Sequence, residues 1–158
     1  MRITRAAVLL MLLIGCQDKS GADTANHDQR ALETQTLRTT LSLLDERGLS
    51  FDEAPADADT SGMTERAKLE LQATLQTEIE LERRRVNKAA PPAADQSATL
   101  ALLSGMQEAV SQGHLAEFIR RQPPAGAGQP NQLTLLVAAL EDATKKTLQR
   151  RLEHLASP

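Results

Sequence analysis

Leucine and its aliphatic relatives return along much of this chain at intervals of three and four, the spacing that aligns side chains on one helical face. Leu37, Leu41 and Leu44 form the first such face, and Leu32 extends it less cleanly. The pattern predicts a helix over 28–47, with Asp28 available to cap its free N–H groups and Gly48 placed to end it in the left-handed conformation. The stretch LSFDEAPADADTSG that follows reads as an acidic loop. A second helix is expected over 63–87, with Leu71, Leu75, Ile79 and Val86 on one stripe and Glu82 interrupting it.

KAAPPAAD breaks that pattern, since two consecutive prolines forbid a continuing helix. A third helix starts near Asp95 or Ser97 and carries Leu102, Met106, Ala109 and Val110. Gly113 interrupts it before the short apolar cluster Leu115, Phe118 and Ile119. QPPAGAGQPN is a second non-helical break. The last element has the clearest signal: Asn131 can cap it, and Leu133, Leu136, Val137, Leu140, Leu148, Leu152 and Leu155 fall on one broad stripe, with Thr144 in step. Glu141 and Lys145, and Asp142 and Lys146, are acid-first pairs four apart, the stabilising order on a helix, and Arg150 and Arg151 lie towards the end that the helix dipole makes negative.

No strand-like alternation competes with these segments, so the fold class expected is all-α: a loosely packed bundle of about four amphipathic helices. "Loosely" follows from the connections, one of which runs to about a dozen residues, above the few typical of tight bundles. No internal repeat at a fixed period argues for a solenoid.

The amino-terminal residues obey a different rule. Arg2 and Arg5 precede an uninterrupted apolar run, residues 6–14, which gives way at Gly15-Cys16 to the polar stretch Gln17-Asp18-Lys19-Ser20. A positive opening, a short apolar core and a small residue at the break make the secretory signal pattern. As a helix the run would reach only about 13 Å, against a hydrocarbon core of roughly 30 Å, so it is too short for a permanent span. Leu13-Ile14-Gly15-Cys16 resembles the lipobox of bacterial lipoproteins, and Cys16 is the only cysteine of the chain. The resemblance covers about the first twenty residues. It implies diacylglyceryl attachment to the Cys16 sulfur, cleavage before Cys16 and acylation of the new amino terminus. Two or three acyl chains hold a protein to a bilayer where one binds only marginally. Gln17, where an aspartate favours inner-membrane retention in that family, implies the outer membrane, with the inner membrane as the alternative. The expected organisation is a signal peptide over 1–15, a lipidated flexible tether over 16–27 and a helical domain over 28–158.

Composition narrows the functional classes. Loss of Arg2 and Arg5 with the signal would leave 16 Lys and Arg against 21 Asp and Glu, a net charge of about −5. Nucleic acid requires a clustered positive surface, so it is not an expected partner. With Cys16 given to lipid, no cysteine remains for an intrachain disulfide, and packing must hold the fold. Two phenylalanines, Phe51 and Phe118, are the only aromatic side chains, too few for sites that stack sugars or bases.

Candidate chemistry is sparse. His114 and Glu117 stand three apart, but a metal site wants three or four ligands, and neither His27 nor His154 completes a set. The acidic residues Asp52, Glu53, Asp57 and Asp59 lack the glycine and closing glutamate of a calcium-binding loop. AGAGQ lacks the lysine and preceding strand of a phosphate loop. The run ERRR, residues 82–85, reads either as an anion site or as a charge-patterned solvent flank, with Glu78 and Glu80 beside it, and the flank is the plainer reading. No catalytic residues, metal ligands, cofactor or small-molecule substrate are expected.

What remains is a module that works by contact. The layout resembles that of pilotins, small helical lipoproteins that escort secretion subunits, although no motif matches residue by residue. Such a protein would grip an amphipathic segment of a protein client, with Met106 and Phe118 as candidate groove anchors. Entry exclusion or immunity, with the acidic loop as the contact surface, and an envelope spacer are the alternatives.

Overall fold

The faces aligned by the leucine spacing are the faces that close on one another. The computed structural model describes residues 19–53, 62–89, 94–122 and 131–157, and among them every regular element is helical. In chain order these are α1 (Lys19–Arg47), a 3₁₀ segment (Gly48–Glu53), α2 (Met63–Lys88), α3 (Ala94–Gln112), α4 (Leu115–Arg121) and α5 (Gln132–Ala156). The chain divides into two units, one ending at Leu32 and the other beginning at Glu33.

In the first unit, α1 is already helical from Lys19, inside the segment expected to be a tether over 16–27. Asp28 therefore lies within the helix and does not cap it. The sequence from 17 to 27 holds no proline and a single glycine, so its backbone has little to oppose a helix. Periodicity reads a helix only where it has an apolar face to bury. Residues 26–32 are exposed, Leu32 at 42%.

The second unit holds the core. Leu37, Leu71, Leu75, Ile79, Leu103, Met106, Leu115 and Leu148 have no exposed surface. α2 packs on both α3 and α5, α3 packs on α4, and the 3₁₀ segment packs on α4 and α5. Cross-links show the directions. Lys145 Nζ meets Asp45 Oδ1 at 2.6 Å, and Arg151 reaches Glu33 at 3.7 Å, so α5 runs antiparallel to α1. Thr147 donates to Glu78 at 2.7 Å and Arg151 pairs with Glu70, so α5 is antiparallel to α2 as well. Gln72 donates to the Val110 carbonyl and Gln96 to that of Val86, which sets α3 antiparallel to α2.

Glycine sets two of the corners. Gly48 (φ +55°) ends α1 as the sequence predicts, and Gly113 (φ +71°) ends α3, conformations that cost side-chain-bearing residues more. The turn at Gly48 does not open into the expected loop. Leu49 and Phe51 of the 3₁₀ segment are 2% and 3% exposed, both packed into the core on either side of a kink at Ser50 (φ −94°, ψ 22°). Carboxylates from elsewhere then satisfy the free N–H groups. Glu141 of α5 accepts from Leu49 N at 3.0 Å, and Asp52 accepts from Ala116 N at 3.1 Å, in the first turn of α4. Asn131 caps α5, its side chain accepting from Leu133 N at 3.3 Å.

Candidate contact surfaces

Of the two groove anchors expected from sequence, Met106 has no exposed surface and belongs to the core. A side chain fully enclosed by its own fold has no area to offer a client in this packing. Phe118 is half-buried against the same core, and its ring fills the space beside Gly105 of α3, where a Cβ would stand 2.6 Å from Cε2. Gly105 thus lets α4 seat its phenylalanine on α3. The two residues do meet in one region, but as helix-to-helix packing.

Charges resolve in the same way. Arg83 bonds Gln107 at 2.7 Å and Glu80 at 3.3 Å, Arg84 pairs with Glu80 at 3.0 Å, and Arg85 with Glu82 at 3.2 Å. The three arginines of the ERRR run pair with glutamates of their own helix, in keeping with its plainer reading as a charge-patterned flank. Of the acidic stretch, Asp52 holds the start of α4 and Glu53 pairs with Arg120; Asp57 and Asp59 lie outside the described residues. Cys16 and AGAGQ lie outside them too.

His114 sits just before α4 in a non-helical conformation, and both it and Glu117 are exposed. They share no helix face, because His114 is not in the helix. Among the described residues no group of three or more His, Cys, Asp or Glu is placed to hold a metal ion. Nor, among them, is any helix long and apolar enough to cross a membrane.

The surface feature that sequence reasoning missed is on α2. Leu69 and Leu81 are 64% and 50% exposed, and Ala73 and Thr77, between them at four-residue steps, are exposed as well. These four form one outward ridge, bordered by a shallow groove of about 350 Å³ along Gln76, Glu80 and Arg84. The signal was present in the sequence. Leucines 69 and 81 stand off the Leu71–Leu75–Ile79 stripe, at a spacing that still joins them along one flank. Leu135 of α5, 57% exposed, is a third wet leucine. Against protein families, curated proteins and solved structures, the chain shows no match.

Proposed function

We propose that this protein is a lipid-anchored lipoprotein of the bacterial envelope, held by acyl groups on Cys16, whose helical part works by protein–protein contact in the manner of a pilotin. The observation that carries this reading is the sequence Leu13-Ile14-Gly15-Cys16 at the end of a short apolar run that follows Arg2 and Arg5. Physically, the acyl chains supply residence at the membrane, and the domain needs only a surface that grips a client. The finer architecture follows from the same reading: a signal peptide removed before Cys16, a short lipidated lead, then the helices. The outer membrane, periplasmic face, is the proposed location, because Gln17 and not aspartate follows the cysteine.

The exposed row Leu69, Ala73, Thr77 and Leu81 on α2 supports contact as the mode of action, because it offers a strip of apolar and small side chains along one helix. The engagement of Asp52 and Glu53 within the fold favours the client-gripping reading over a shield that presents the acidic loop.

Two measurements test it. Mass spectrometry of the native protein is expected to find Cys16 as the first residue, bearing a diacylglyceryl group and an amide-linked acyl chain. A free thiol, or a different first residue, would overturn the anchor. Affinity capture from envelope extracts is expected to recover a secretion subunit, and recovery of no protein would leave the domain without a client.

A further inference from the structure

We draw no further inference here: the strongest candidate, the half-open cavity between the 3₁₀ segment, the first turns of α2 and the α3–α4 corner, carries none, because Lys68 and Gln72 of its lining are already engaged and Asp52 Oδ1, unpartnered among the described residues, is closed to solvent, so nothing in the structure shows what covers it.

Discussion

Thr144 shows how sharply a single atom can weigh on this fold. It has no exposed surface, and its Oγ1 finds no hydrogen-bond partner among the described residues. The other two buried threonines return their hydroxyls to the carbonyl four residues back, Thr40 to Thr36 at 2.8 Å and Thr74 to Glu70 at 2.9 Å. A buried hydroxyl without a partner carries its desolvation cost uncompensated. Thr144→Val keeps the branched shape and removes the polar atom, so it is expected to stabilise the protein by about 1 kcal/mol, read as a higher urea midpoint at unchanged slope. Destabilisation would mean that the hydroxyl has a partner after all. Gly105 is the opposite case. Alanine favours helix by about 0.5–1 kcal/mol over glycine, but here its Cβ would meet the Phe118 ring at 2.6 and 2.7 Å. Overpacking costs about 1–3 kcal/mol, so the clash wins and Gly105→Ala is expected to lower stability. Phe118→Leu in the same chain should recover much of that loss. Additive effects of the two changes would show that they do not touch.

Among the elements, the short pieces depend on side chains lent by the long ones. Glu141 of α5 accepts the Leu49 N–H from a position where a Cβ on Gly48 would have to sit, so one carboxylate and one glycine together turn the chain out of α1. Glu141→Ala is expected to cost about 1–2 kcal/mol, with earlier hydrogen exchange at Leu49 and Phe51 than in α2. Unchanged exchange at those amides would show that the 3₁₀ segment holds without the carboxylate. Legibility from sequence follows the same division. α2 and α5 were plain because a long helix repeats its apolar step many times: Leu71, Leu75 and Ile79 are buried as read, and so are Leu133, Leu136, Leu140 and Leu148. In α3 Met106, Ala109 and Val110 are buried as read, and only the first position of the face differs. Leu103 is fully buried and Leu102 only in part, since either can stand beside Met106 and Val110 and only the packed neighbours decide. The 3₁₀ segment was hidden because two inward residues among acids, Leu49 and Phe51, make no period. The early start of α1 was hidden because a helix with little to bury leaves no stripe.

At the scale of the whole molecule, the proposed anchoring and the proposed gripping would be separable, because the reading assigns them to different residues. Cys16 belongs to the lead sequence, whereas among the described residues every fully buried core residue lies between Leu37 and Leu148. The fold owes nothing to a disulfide, since Cys16 is the sole cysteine. On the proposed reading the packing of the leucines is therefore independent of acylation at Cys16. Cys16→Ala is accordingly expected to abolish lipid attachment and move the protein from the membrane pellet to the soluble or unprocessed fraction. Its helical signal and melting midpoint should stay those of the parent. The same variant should still capture the client in extracts while the client fails to reach the outer membrane, as cell fractionation would read. Loss of client capture together with the anchor would mean that the bilayer forms part of the gripping surface. Persistence in the membrane pellet, with normal processing, would show that something other than Cys16 holds the protein there.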